Sequence, residues 1–328
     1  MKKIKIAQIG TSKNSHGSAI FETLNKLSDV FEIVGYALPE GEREKFPRRM
    51  DVFEGYTEMT VEEILGNPEI DAVAVETEEI YLTKYALMVA KAGKHLHMEK
   101  PGGVGLSDFR ELISILKEKS LVFSTGYMYR FNPKIREAIE KIRRGELGKI
   151  YAVEAHMDCK HTPEVREWLR SFPGGMMFFL GCHLIDLIYR IQGEPDEVIP
   201  LSCSTGFDGI TAEDYGMVAL KYPSGVSFAK TCAYENGGYM RRQLVICGEK
   251  GTIEIKPLEA QAEGGIYTVM HENYDAAWSS EWTESQSDVH DRYEEMIRNF
   301  AELINGKANP YSYEYELDLF KTILKCCE

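Results

Sequence analysis

The sequence predicts an α/β plus α+β chain in two parts. A parallel sheet with helices on both faces comes first, and a large, mainly antiparallel open sheet follows. Three observations carry this. Over the first third, short apolar runs alternate with helical spacings. After residue 125, long strand-like stretches succeed one another across short turns. At roughly 150 residues per domain, 328 residues make about two.

In chain order, Ile4–Ile9 is a buried-strand run that ends at Gly10. Apolar residues at 19, 20, 24 and 27 give a helical spacing, and Phe31–Leu38 is a second strand. Thr60 caps a short helix over Val61–Leu65. Ile70–Val75 is a third strand, and Tyr81–Ala92 a helix stopped by Gly93. His95–Met98 is a fourth strand, Ser107–Lys119 a helix and Leu121–Ser124 a fifth strand. Such βαβ alternation makes a Rossmann-like doubly wound domain, expected over residues 1–125.

Residues 126–328 form the second domain, expected to bind substrate and carry the oligomer contact. It opens with a helix over Pro133–Arg144. Strands are expected over Ile150–Met157, Glu197–Cys203, Tyr215–Tyr222, Val226–Tyr234, Arg241–Cys247, Gly251–Ile255 and Gly265–His271. The turns at 223–225, 235–238 and 248–251 are short and glycine-containing, which makes neighbouring strands antiparallel. A helix over Met176–Ile191 interrupts the strands. The tail returns to helix over Asp291–Ile304, and a final short helix begins near Tyr313. The helices in this part are too few to cover both faces of a broad sheet. An uncovered apolar face near Val218, Leu220, Phe228 and Val245 therefore predicts a homodimer, or a tetramer of dimers, joined sheet to sheet.

Composition excludes several classes. Hydrophobic residues make up 44% and charged residues 27%, which is ordinary for a globular chain. The net charge of −14 disfavours nucleic acid. No apolar stretch is long enough to cross a membrane. The basic start runs straight into a glycine turn, unlike a signal peptide. Seven scattered cysteines without a Cys-x-x-Cys predict a reducing, cytoplasmic setting.

Three segments carry chemistry. The first is the turn Gly10-Thr11-Ser12-Lys13-Asn14-Ser15-His16-Gly17. A dinucleotide fingerprint needs one glycine for the tight turn and small residues where backbone approaches pyrophosphate. Gly10 is in place, and Ser12 and Ser15 hold the other two positions. Lys13 and His16 add positive charge at a helix N-terminus. The second segment, Glu99-Lys100-Pro101-Gly102-Gly103, sets a lysine at the ligand-binding edge of the parallel sheet, with glycines that allow close approach of a ligand. The third is an apolar helix carrying His183 and Asp186. Taken singly, each has an ordinary structural explanation: a capped turn, a solvated charge, a core histidine.

Together the segments resemble the Gfo/Idh/MocA family of nicotinamide-dependent oxidoreductases. The likeness runs through AGKHLHMEKPGG (92–103), GYMYRFNP (126–133), GELGKIYAVEA (145–155), REW (166–168) and GGMMFFLGCHLIDL (174–187), and on to RYEEMIRNFAELINGK (292–307). It implies NAD or NADP as cofactor, hydride transfer to or from a small polyhydroxylated molecule such as a sugar or cyclitol, and a sheet that joins subunits. It also implies that the cleft between domains holds nicotinamide and substrate. On this reading Gly10, Thr11, Ser12, Lys13, Asn14, Thr77, Glu99 and Pro101 hold the cofactor. Lys100 and His183 are catalytic: His183 accepts the alcohol proton and Lys100 hydrogen-bonds the same oxygen. Arg130, His156, Asp158 and Trp168 line the substrate pocket, with Asp158 a candidate to orient His183. The neighbouring His156, Asp158, Cys159 and His161 fit a polar wall better than a metal cage, so no metal is expected.

The departures are specific. The aspartate usual four residues before the histidine is Phe179. The family's Thr-Pro-Asn reads Thr77-Glu78-Glu79, preceded by Glu76, and carboxylates there repel pyrophosphate unless they point away. The acidic residue that usually ends the second strand is Leu38. Glu40 or Glu42 could replace it, but Arg43, Lys45, Arg48 and Arg49 lie close, so NAD and NADP both stay open. Two alternatives follow: other chemistry on the same scaffold, such as redox-assisted glycoside cleavage, and a non-catalytic ligand-binding relative.

Overall fold

The computed structural model describes residues 3–274 and 281–328. Met1 and Lys2 of the basic start lie outside the described residues. The chain divides into two compact units, Met1–Tyr127 with Tyr293–Phe320, and Met128–Arg292 with Lys321–Glu328.

The first unit is a five-stranded parallel sheet. Its strands are β1 (Ile4–Ile9), β2 (Phe31–Ala37), β3 (Ala72–Val75), β4 (His95–Met98) and β5 (Phe123–Thr125), in the order β2-β1-β3-β4-β5. The connecting helices are α1 (Gly17–Lys26), α2 (Glu42–Lys45), α3 (Val61–Gly66), α4 (Leu82–Lys91) and α5 (Leu106–Glu118). The expected Rossmann-like order holds, with element boundaries within two residues of those expected. Thr60 starts α3 through a reciprocal capping box with Glu63, as its hydroxyl position demands. Phe21, Tyr36 and Phe53 form an aromatic core beside β2, where Tyr36 and Phe53 stack at 4.4 Å.

The second unit begins with α6 (Pro133–Arg143), whose first two free amides donate to the Asn132 side chain at 3.0 and 3.2 Å. Next come β6 (Ile150–His156), α7 (Pro163–Trp168) and α8 (Cys182–Gln192). A wide π-type turn over Met177–Gly181 leads into α8, so the predicted single helix has two geometries. The later strands are β7 (Glu197–Pro200), β8 (Tyr215–Tyr222), β9 (Gly225–Cys232), β10 (Gln243–Gly248), β11 (Thr252–Ile255), β12 (Ala260–Ala262), β13 (Gly265–Tyr267), β14 (Val269–Asn273) and β15 (Thr283–Gln286). Seven of these join β6 in one eight-stranded sheet, ordered β15-β14-β11-β10-β6-β9-β8-β7, while β12 and β13 pair separately. All its pairings are antiparallel except β6 with β9. The predicted strand over Gly265–His271 is thus two strands, β13 and β14, parted at Thr268, whose hydroxyl bonds the Leu258 carbonyl.

Period-two burial sorts the sheet's faces. Val153, Ala155, Val218, Leu220, Ala229, Leu244 and Ile246 are buried on one face, and α8 packs against β6 and β9. Register places Glu254, Val245, Glu154, Phe228, Ala219 and Ile199 in one row across the other face. Phe228 and Val245 therefore belong to the open face as expected. Val218 and Leu220 do not: they sit on the buried face, because their register partners there are buried too.

Two helices close the chain, α9 (Glu294–Ile304) and α10 (Tyr313–Cys326). The division at 125/126 assigned residues 293–320 to the second domain, but they belong to the first unit. The apolar side of α9 (Met296, Ile297, Phe300, Leu303) is buried and packs against α1, and Phe320 meets Phe109 of α5 at 4.5 Å. Burying that stripe explains the return. At 14 residues α10 is also longer than the short helix expected.

Candidate active site

In the first unit, the turn after β1 is tight and opens on a glycine with positive φ. Gly10 has φ 91°, and a Cβ there would stand 2.4 Å from Thr77 Cγ2. Only glycine serves at that position, and it brings two of the predicted cofactor residues together. The Thr11 amide donates to Glu42 Oε2 at 3.1 Å, and the Ser12 amide to the Glu76 carbonyl at 3.1 Å. The Asn14 amide reaches Ser12 Oγ at 3.4 Å. Lys13 is exposed, and its carbonyl accepts from Arg49 Nη2 at 2.7 Å, so two cations flank the start of α1.

The acids near β2 separate clearly. Glu40 is committed to Lys84 at 2.6 Å and Tyr85 at 2.7 Å. Glu42 is the one at the turn, buried, with its Oε1 lacking a hydrogen-bond partner. Burial raises its carboxyl to about 8 against the opposing Thr11 amide. Arg43 is engaged by Glu58 and Tyr36.

Lys100 is not a surface charge: it is 3% exposed, with Nζ 3.8 Å from Glu99 Oε1. Glu76, Glu79 and Glu99 are all buried around it or beside it in the unit. Burial, followed by the charge of Glu99, drives the Glu76 carboxyl well up, and neither of its oxygens has a hydrogen-bond partner. Burial raises Glu79 to about 7, opposed by Lys100. Burial also works against Glu99, but His16 and then Lys100 outweigh it and keep Glu99 ionised. His97, lowered to about 4 by burial, lies 3.7 Å from Glu76 and 3.3 Å from Ser124. Of the carboxylates that could repel pyrophosphate, Glu76 and Glu79 are thus buried in the unit, while Glu78 is half-buried. Pro101 is buried in the same turn. The following glycines do not open space for a ligand: a Cβ on Gly102 would meet Phe109 at 2.7 Å and one on Gly103 would meet Thr83 Oγ1 at 1.8 Å, so they let the chain press on α5 and α4.

In the second unit, His183 on α8 is 1% exposed, and the Tyr129 ring packs edge-on to it at 5.3 Å. The Tyr129 hydroxyl donates to Glu259 Oε1 at 2.8 Å, and Arg242 and Arg292 donate to the same oxygen at 2.5 and 2.7 Å. Asp186, one turn beyond His183, accepts from Arg130 Nε at 2.9 Å and Nη2 at 2.7 Å. Arg130 is therefore tied to Asp186 and buried. Asp158 is buried and held by Lys230 at 2.9 Å, and His156 is the register partner of Lys230. These two gather at Lys230, while the neighbour resolved on His183 is Tyr129. Trp168 is half-buried and meets Phe172 at 4.7 Å and Phe179 at 5.1 Å, both edge-to-face. Phe179 thus joins an aromatic cluster. Among the described residues no group of three His, Cys, Asp or Glu side chains could hold a metal ion, and no helix is long and apolar enough to cross a membrane.

Sequence reasoning missed the Glu259–Arg242–Arg292 network, which no motif marks. Tyr129 lies inside GYMYRFNP and was legible only as an aromatic.

Toward a dinucleotide the turn after β1 presents the start of α1 and a buried Glu42 oxygen without a hydrogen-bond partner, while Gly10 lets Thr77 come close. The model of the oxidoreductase family with an NAD-binding Rossmann fold matches residues 4–127, and the family's C-terminal domain model matches 135–254. The chain is similar to a 1,5-anhydro-D-fructose reductase of Ensifer adhaerens, 26% identical over 64% of this chain and 68% of that one. It is similar to the trans-1,2-dihydrobenzene-1,2-diol dehydrogenase of Mus musculus, 24% identical over 72% and 70%. Its fold matches a 3-ketoreductase from Actinomadura kijaniata solved with NADP, with TM-score 0.78, 17% identity and 98% and 96% coverage. The chain belongs to the Gfo/Idh/MocA family of NAD(P)-dependent oxidoreductases.

Proposed function

We propose that this enzyme interconverts a hydroxyl and a carbonyl on a small, cyclic, polyhydroxylated molecule of the sugar or cyclitol kind. The observation that carries the reading is the burial of Lys100 beside an ionised Glu99 at the end of β4, in the unit that holds the Gly10–Thr77 turn. A buried ammonium is costly unless it has work and a partner. The similarity to an anhydrofructose reductase and a dihydrobenzenediol dehydrogenase supports a cyclic substrate.

When bound, the nicotinamide ring supplies or accepts the hydride. The residues of this chain do the rest. The Gly10–Asn14 turn and Thr77 hold the dinucleotide, and Glu42 meets its ribose end. Lys100 donates a hydrogen bond to the substrate oxygen and stabilises negative charge there. His183 accepts the hydroxyl proton in oxidation and returns it in reduction. Tyr129 fixes the imidazole plane. Arg130 and Asp186 stiffen the helix that carries His183, while His156, Asp158 and Trp168 contribute substrate contacts. A second copy covers the open face of the eight-stranded sheet, where Val226 and Ile199 are 53% and 41% exposed.

The test is a screen of cyclic polyols and ketoses with both dinucleotides, followed at 340 nm. Turnover of at least one such compound is expected. Activity confined to unrelated substrates, or none at all with cofactor bound, contradicts the reading.

A further inference from the structure

Resting on the role of Lys100 above, we propose that His16, in the cofactor turn, is a positioning residue for Lys100 and acts through the carboxylate of Glu99. The two oxygens of Glu99 divide between the partners. Oε1 accepts from the Lys100 amide at 3.1 Å and lies 3.8 Å from its Nζ. Oε2 lies 3.4 Å from His16 Nδ1. One buried carboxylate therefore links the turn after β1 to the end of β4.

His16 is suited to this by where it stands. It immediately precedes α1, and its ring packs on Tyr293 at 5.2 Å, just before α9. Its side chain is 22% exposed, so it exchanges protons with water while Glu99 does not. The other groups around Glu99 are Glu76 from the end of β3, His97 on β4 and Glu79 in the turn before α4. Burial moves Glu76 up and His97 down, both away from their charged forms, so the charge balance of Glu99 falls mainly on His16 and Lys100. The position was singled out in the sequence only as added positive charge for phosphate; its Nδ1 instead faces a carboxylate.

The consequence is mechanical as well as electrostatic. An ionised Glu99 keeps the Lys100 ammonium charged and restricts its swing. Without His16, Glu99 faces two carboxyl neighbours with one partner fewer, takes up a proton at higher pH and releases its hold on Lys100. Because Nδ1 makes the contact, the amide nitrogen of an asparagine can replace the donor but not the charge. A leucine replaces neither.

Two measurements test this. In the cofactor-free protein, the His16 imidazole resonances are titrated by NMR in wild type and in Glu99→Gln. The midpoint falls by about one pH unit or more in the variant, the usual effect of losing an opposite charge at this range. An unchanged midpoint overturns the pairing, whatever the enzyme turns over. In kinetics, His16→Leu adds an acidic limb to the kcat profile about one pH unit higher than wild type, and His16→Asn restores most of the kcat lost at neutral pH. Equal loss in both variants, or a lower melting temperature with an unchanged profile, means that the ring only fills space and overturns the proposal. Failure of wild type to bind any dinucleotide would instead remove the function proposed above and leave the NMR result standing.

Discussion

Lys100 and His183 are both buried, yet their surroundings differ in kind. Lys100 sits among titrating groups: three glutamates and two histidines, with protons distributed unequally between them. His183 sits against an aromatic ring, and the charges of its unit are paired one contact further out, in Arg130–Asp186 and in Glu259 with Arg242 and Arg292. The first environment is adjustable by pH. The second is fixed by geometry. Substitutions near His183 should therefore act on stability and shape, and substitutions near Lys100 on rates and pH profiles.

Breaking the fixed side gives the largest effect. Arg130→Met leaves Asp186 buried without its cation, which costs about 3–5 kcal/mol of stability. Urea unfolding measures it, and the double variant Arg130→Met with Asp186→Leu should recover much of the loss. Lys100→Met keeps the packing and removes the donor. It should lower kcat by roughly 10²–10³ with little change in cofactor affinity. A surface lysine would leave the rate within a factor of about two.

Glu79 sharpens the contrast through pH. Its carboxyl takes a proton near 7 in the folded state and near about 4.3 when unfolded. Between these values the folded state binds more protons, so stability falls as pH rises and levels off above 7. Glu79→Gln should remove that slope and stabilise the protein at pH 8 by about 3 kcal/mol relative to wild type. Thermal melts from pH 5 to 8 report it; parallel curves for the two proteins would show that Glu79 does not titrate. The smallest expected effect on the fold lies on the open sheet face. Phe228→Glu should shift light scattering from a dimer or tetramer toward the 37.3 kDa monomer without changing the melt at low concentration. A monomeric wild type would contradict the assembly.

Most of the fold was legible because hydrophobic period and glycine turns are local signals. The β1–β5 alternation and the strands from 215 to 255 follow from them. What escaped depended on distant partners. Nothing local says that residues 293–320 return to the first unit, since an amphipathic stripe does not name the surface that buries it. Strand period alone did not reveal which face α8 covers, so Val218 and Leu220 were placed on the wrong one. At the site, the residue types of Lys100, Glu99, Gly10 and His183 could be read from the turns and helix that hold them. The upward shift of the Glu76 carboxyl and the approach of His16 to Glu99 could not, because they arise from burial among side chains far apart in sequence.

The central claim is that the turn at Gly10 holds a dinucleotide and that Lys100 acts on the substrate rather than on the cofactor. Parallel fluorescence titrations of wild type and Lys100→Met with NADH and NADPH test it most directly. Saturable binding of at least one dinucleotide, with the same Kd in both proteins, is the predicted result. No binding by wild type at millimolar dinucleotide, or a loss of binding in Lys100→Met, would contradict it.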